Sequence, residues 1–203
     1  MIIGPKYKIA RRLGAPVFEK TQTQKYVLSQ TKKTKTKRGG PKQRTDFGMQ
    51  MNEKQKARFS YLLSEKQFSN YVKKALSAQG TDNAGMLFEI LERRLDNVVL
   101  RAGFAHARGL ARQMVSHNHI QVNGKTVNIP SYRVSVGDVI TVREGSSKKP
   151  LFNNLEERLQ AKTAPSWIKV DASQKRAEVQ GAPKVDKGEL LFDLNSVIEF
   201  YSR

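Results

Sequence analysis

The chain has 203 residues, room for one or two small cores, and its 37 lysines and arginines against 18 acids leave a formal charge of +19 with a pI ≈ 10.2. That surplus exceeds what solubility asks and implies a polyanionic partner. There is no cysteine, which excludes disulfides and any cysteine-ligated zinc, and neither an apolar run of the ~18 residues that span a bilayer nor a secretory leader at Met1-Ile-Ile-Gly-Pro5 is legible, so a soluble intracellular protein is expected.

Residues 1–45 show no sustained apolar period and are dense in lysine, arginine, threonine and glutamine, with Thr31-Lys-Lys-Thr-Lys-Thr-Lys-Arg-Gly-Gly40 as the extreme. Like charges repel, and few apolar groups offset the entropy of ordering. The stretch is therefore expected to be a basic extension that orders against RNA phosphates rather than folding alone. Its candidate contacts are Lys6, Lys8, Arg11, Arg12, Lys37, Arg38 and Arg44. Asn52 with Gln55, and Ser64 with Gln67, have the capping-box spacing and predict two helices over roughly 53–63 and 65–78. The second buries Phe68, Tyr71, Val72, Ala75 and Leu76. Lys54, Lys56 and Arg58 are the basic positions of the first. Gly80-Thr-Asp-Asn-Ala-Gly85 reads as a linker.

From Met86 to Val142 the pattern is that of a complete small unit. Met86, Leu87, Ile90, Leu91, Leu95, Val98 and Val99 recur at helical spacing until Gly103, and a second helix is expected from about Ala107 to His117. Its apolar side is Leu110, Ala111, Met114 and Val115, with Arg108 and Arg112 stacked beside it. Asn123-Gly124 then predicts a tight hairpin. In that register Val122 faces Lys125, and Ile120, Val122, Val127 and Ile129 share one face. Third and fourth strands are expected at Tyr132–Val136 and Val139–Val142, either side of Gly137-Asp138. Beyond them lie a loop at 145–150, a short helix over Leu151–Leu159, a strand-like Trp167–Val170 and a final helical turn capped by Asn195 through Val197, Ile198 and Tyr201. The fold class is α+β: helices plus a small module of two helices on an antiparallel sheet, with a basic N-terminal extension.

In the central unit Arg93, Arg94, Asn97, Arg101, Arg108, Arg112, Asn118, Lys125, Tyr132 and Arg133 are the candidate groups to meet RNA, because guanidinium forks match phosphate geometry and asparagine reads base or sugar edges; a solvated helix face is the alternative reading of the same residues. Neither helix carries a run of base-reading side chains, so structured RNA fits better than duplex DNA. His117-Asn-His119 is too sparse for a metal site. No glycine-rich phosphate loop and no nucleophile–base pair stand out, and no catalytic residue, cofactor or small-molecule substrate is expected.

Leu91-Glu-Arg-Arg-Leu-Asp-Asn-Val-Val-Leu-Arg-Ala-Gly-Phe104, Ala111-Arg-Gln-Met-Val-Ser-His117, Val122-Asn-Gly124 and Ile129-Pro-Ser-Tyr-Arg-Val134 with Gly137-Asp138 resemble the RNA-binding module of the bacterial-type small-subunit ribosomal protein S-four family. Gly4–Gly14, Glu53–Arg58, Gln67–Tyr71, Trp167 and Glu199–Arg203 extend the likeness, in order, along the chain. Where many members have Pro-Gly-Gln-His-Gly, this chain has Arg38-Gly-Gly-Pro-Lys-Gln-Arg44, and it lacks the cysteines of the zinc-bearing branch.

The resemblance implies a structural rRNA-binding protein divided into an extension (1–45), a helical domain (46–85 completed by 151–203) and the module (86–150). It further implies binding to the five-prime domain of 16S-type rRNA, nucleation of subunit assembly and a part in translational accuracy. Its partners would be small-subunit rRNA, neighbouring proteins, notably the fifth, and its own mRNA, on a ribosome of the cytoplasm or an organelle, with no membrane. Two alternatives carry the same module: a stand-alone RNA chaperone, and an RNA-modifying enzyme. Arg94-Leu-Asp96 matches the Arg-Leu-Asp core of pseudouridine synthases, against which stand Arg93 in place of glycine and the lack of room for a catalytic domain.

Overall fold

A computed structural model describes residues 3–34, 45–78, 82–185 and 190–202. Within the extension, helices α1 (Lys6–Leu13) and α2 (Gln24–Thr34) form where no folded element was expected. The reason is packing at a distance: Ala10, Leu13, Val17, Phe18 and Tyr26 are buried together with Phe59 from farther along the chain. Too few on their own, these apolar groups suffice once Phe59 joins them. Lys37, Arg38 and Arg44 lie outside the described residues.

Helix α3 (Asp46–Ser60) starts well before the expected residue 53, because Thr45 supplies the cap: its Oγ1 accepts from the Gly48 N–H at 3.2 Å. Asn52 is instead inside the helix, where its Nδ2 donates to the Leu13 carbonyl at 3.2 Å. Helix α4 (Glu65–Leu76) has the expected cap, Ser64 Oγ accepting from the Gln67 N–H at 3.3 Å, and buries Phe68, Val72 and Ala75.

The single helix expected over 86–103 is two, α5 (Asn83–Glu92) and α6 (Leu95–Arg101). Arg94 between them is extended, and a passing strand-like segment holds it so. The Tyr132 carbonyl accepts from Leu95 N at 2.9 Å, Pro130 from Asp96 N at 3.1 Å, and Val134 N donates to Arg93 O at 2.9 Å. The 132–136 segment is thus no strand of the sheet; apart from one bridge, Arg94 to Arg133, it satisfies the open N–H groups of α6. Gly103, at φ +95, turns the chain towards α7 (Arg108–Ser116).

Strands β1 (Ile120–Val122) and β2 (Lys125–Thr126) pair with Val122 opposite Lys125, across a turn in which Asn123 and Gly124 take φ 51 and 77. Because β2 stops at Thr126, Ile129 leaves the expected apolar face and is exposed. The Asn123 side chain ties this turn to the next one, its Nδ2 donating to Asp138 Oδ1 at 2.8 Å and its Oδ1 accepting from Val139 N at 2.9 Å. Strand β3 (Val139–Val142), helices α8 (Glu144–Ser147) and α9 (Leu155–Ala161) and strands β4 (Ile168–Asp171) and β5 (Arg176–Val179) follow.

The five strands make one antiparallel sheet in the order β2-β1-β3-β5-β4. Leu95, Val98, Met114 and Val115 pack with Ile120, Ile140, Ala177, Leu155 and Leu159 in its core. A fully buried aliphatic side chain of this kind contributes about 1.5–3 kcal/mol.

Last, α10 (Leu194–Tyr201) runs against α3 and α4, with Phe68 6.2 Å from Tyr201 and Tyr61 6.3 Å from Phe192 between ring centres. The chain therefore divides into Met1–Leu87 with Asp186–Arg203, and Phe88–Val185. The expected boundaries differ: residues 151–185 complete the module's sheet, and only the closing segment goes to the helical unit. The architecture is α+β, and no described helix is long and apolar enough to cross a membrane.

Candidate nucleic-acid interface

The cations of α6 and α7 are built upon buried carboxylates. Glu92, 1% exposed, closes α5 and accepts from Arg101 Nε at 2.8 Å, from Arg101 NH2 at 3.1 Å and from Asn97 Nδ2 at 2.8 Å. Asn97 Oδ1 in turn accepts from Arg108 NH1. One carboxylate thereby orients two arginines from different helices. A buried acid left alone would be costly, so these bonds are obligatory as well as orienting.

A second group sits one turn away. Arg94 makes a forked pair with Asp96, Nε to Oδ1 at 3.0 Å and NH2 to Oδ2 at 2.6 Å, and Arg112 NH1 lies 3.5 Å from the same Oδ2. Asp96 is thus held between two arginines rather than presented as an acid or base. In the third group Glu89 accepts from Arg93 NH1 at 2.7 Å and Arg133 NH2 at 3.1 Å, while Arg93 Nε donates to the Val134 carbonyl at 2.8 Å. Burial pushes the Glu89 carboxyl up, but the hydrogen bonds and charges of Arg93 and Arg133 outweigh it and hold it below its ordinary value.

This wiring sorts the expected contacts. Arg94 and Asn97, each 2% exposed, are internal, so neither offers a surface to RNA. They were expected outside because sequence spacing cannot tell a cation facing solvent from one facing a carboxylate. Arg93, Arg101, Arg108 and Arg112 are partly exposed, each with part of its guanidinium committed inward. Arg133, Tyr132 and Lys125 are exposed; Asn118 is half-buried with a φ of 59.

Among the helices of the other unit, Lys8, Arg11 and Arg12 are exposed on α1, and Lys6 lies 5.7 Å from the Phe18 ring centre. Lys54, 6% exposed, is internal: it pairs with Glu65 at 2.8 Å and covers the Phe200 ring at 4.5 Å. Lys56 pairs with Glu53 at 2.6 Å, and Arg58 lies 4.4 Å from the Phe59 ring centre and 3.7 Å from Glu65.

The histidine corner is packing and polarity. His119 Nδ1 is 2.9 Å from Ser146 Oγ and its ring meets Phe152 edge-on at 5.9 Å. Burial, then the charges of Lys149, His117 and Arg143, hold His119 below its ordinary pKa and so favour the neutral ring. Among the described residues no three His, Cys, Asp or Glu side chains are grouped as a metal would need.

Two family models match adjoining parts of the chain: the ribosomal protein S4/S9 N-terminal domain over residues 1–92 and the S4 domain over 93–140. The small ribosomal subunit protein uS4 of Roseiflexus castenholzii is 42% identical over 206 residues, covering 99% of this chain and 98% of its own. The chain belongs to the uS4 family. The uS4 of Sulfurihydrogenibium sp. is likewise 42% identical, over 98% of each chain, and that of Koribacter versatilis 46% over 77% of this chain and 75% of its own.

The S4 domain match ends at residue 140, although the sheet of this chain continues into β5 and β4. Cations contributed by that later part went unnoticed in the sequence. Lys162, just past α9, donates its Nζ to the Leu100 carbonyl at the end of α6. Its only local signal is a lysine after an amphipathic helix, which says nothing of where α9 docks.

Proposed function

We propose that this chain is a structural component of the small ribosomal subunit that binds small-subunit rRNA through the α6–α7 side of its module. The observation that carries this is Glu92, whose buried carboxylate sets Arg101 and, through Asn97, Arg108 before any ligand arrives. Guanidinium groups fixed in advance lose little entropy on meeting phosphate, and a rigid constellation reads the shape of folded RNA rather than its sequence. Membership of the uS4 family supports the ribosomal setting.

The finer reading is a primary binder of the five-prime domain of 16S-type rRNA. By neutralising phosphates where several RNA helices meet, the protein favours one arrangement of them, nucleates assembly of the subunit body and so contributes to translational accuracy. Contact with the fifth small-subunit protein and binding of its own mRNA belong to the same reading. The activity is binding rather than turnover. No cofactor has a part in it.

The test is equilibrium binding of the full chain to naked small-subunit rRNA, with magnesium and excess transfer RNA as competitor. Saturable binding that survives the competitor and footprints at one junction is expected. Binding that the competitor removes would reduce the protein to a nonspecific polycation and overturn the proposal.

A further inference from the structure

Lys162 is fixed in place along its stem and at its ammonium. It follows α9, whose Leu155 and Leu159 are buried in the module core. Its stem lies over Gly103, where an added Cβ would stand 3.4 Å from Lys162 Cδ and 3.5 Å from both Lys162 Cβ and Leu159 Cδ2. Those are ordinary van der Waals distances, and it is the φ of +95 that disfavours a side chain at Gly103. The stem is thus seated and the ammonium reaches the last turn of α6, where it donates to the Leu100 carbonyl.

Leu100 is the neighbour of Arg101 at the end of α6, and Arg101 is joined to Arg108 through Glu92 and Asn97. Burial, then the charges of these two arginines, pull the Lys162 ammonium below the ordinary lysine range. Its hydrogen bond goes to a carbonyl, which has no full charge to answer its own. A half-buried lysine that feels two guanidinium charges is disfavoured as an ammonium, and an anion reaching all three would relieve it. All three side chains keep part of their surface in solvent, so such an anion has access.

We propose that Arg101, Arg108 and Lys162 together form a binding site for one RNA backbone phosphate, with Lys162 supplying the charge from outside the S4 domain match. The site rests on the RNA-binding function proposed above and deepens it. Arg101 and Arg108 come to the phosphate as oriented forks, whereas Lys162 comes as a point charge whose protonated state the phosphate favours.

The experiment compares Lys162→Met, Lys162→Arg and Lys169→Met in the full chain, with Lys169 an exposed lysine of β4 serving as the control for loss of one charge. Methionine keeps the stem over Gly103 and removes the ammonium. Lys162→Met is expected to weaken rRNA binding about tenfold and to lower the slope of log K against log salt by about 0.7–0.9, one phosphate's share. Lys162→Arg should stay within about twofold of wild type, Lys169→Met should change little, and the thermal midpoint of free Lys162→Met should not fall.

Wild-type binding that resists competitor, with Lys162→Met no weaker than Lys169→Met, would overturn the site and leave the RNA-binding function standing. Loss of competitor-resistant binding in wild type itself would overturn the function instead, and the site with it. Inorganic phosphate at matched ionic strength should weaken wild type more than Lys162→Met, as a competitor for the same contact. If it binds the free chain through Lys162 yet leaves wild-type rRNA affinity unchanged, the site takes the free ion and the RNA assignment falls.

Discussion

The cations of α1 and those of α6–α7 are held on different terms. Lys8, Arg11 and Arg12 stand in solvent on a short helix, and the one side-chain bond Arg11 Nε makes is to its own helix, the Tyr7 carbonyl at 3.1 Å. Arg101 and Arg108 each have a buried acceptor behind them, and Arg112 has the Asp96 carboxylate at 3.5 Å. The first set supplies a field that attracts any polyanion and is screened by salt. The second supplies fixed positions, and fixed positions are what distinguish one folded RNA from another. Charge alone therefore does not say which lysines and arginines carry specificity; what lies behind each one does.

The contrast is open to attack from several sides. Its strongest test is Glu92→Ala, which removes the acceptor of Arg101 and Asn97: a loss of about 3–5 kcal/mol is expected in urea unfolding, with most of the rRNA specificity over transfer RNA. A smaller loss, about 3 kcal/mol, should follow Asp96→Ala, which removes the carboxylate forked to the buried Arg94; a fold that stays as stable would show that the fork contributes little.

Replacing Arg108 and Arg112 by alanine should flatten the salt slope by about 1.5 and lower the specificity ratio. By contrast Arg11→Ala with Arg12→Ala should lower affinity for rRNA and transfer RNA alike, with stability changed by no more than about 0.5 kcal/mol. Equal loss of specificity in the two double variants would erase the distinction between field and fixed position.

The smallest effect concerns the helical unit. Burial raises the Glu65 carboxyl, but hydrogen bonds from Lys54 and Tyr201 and the charges of Lys54 and Arg58 bring it below its ordinary 4.5. Its folded pKa being the lower one, its contribution is present above about pH 4.5 and is lost as pH falls through the folded value. Glu65 remains half exposed, so Glu65→Gln should cost below about 1 kcal/mol at neutral pH and nothing in acid, read as the pH dependence of the thermal midpoint.

What could be read from the sequence was local. Asn123-Gly124 and Ser64 with Gln67 carry their own geometry, and both the hairpin register and the cap of α4 follow from it. What escaped depends on residues far along the chain. The break before α6 is made by carbonyls at 130 and 132, α1 is held by Phe59, and the sheet is finished by β5, whose Ala177 and Val179 are too short an alternation to announce a strand. The interface divided the same way. Its arginines were evident as residue types, but which of them turn inward depended on Glu92, Asp96 and Glu89, and Lys162 depended on where α9 docks.

The placement of α10 against α3 and α4 bears on the order in which the chain acquires its structure. Tyr201 donates to Glu65 across 136 residues, and Gln50 to Glu199 across 149. On a chain emerging in order from its amino end, the module is a continuous segment and can close on itself while the face of α4 that bears Phe68 still waits for its cover. Closing so long a loop is slow, and until it happens that apolar face is open to other chains. The helical unit is thus completed only once α10, which lies C-terminal to the whole module, is available to cover α4.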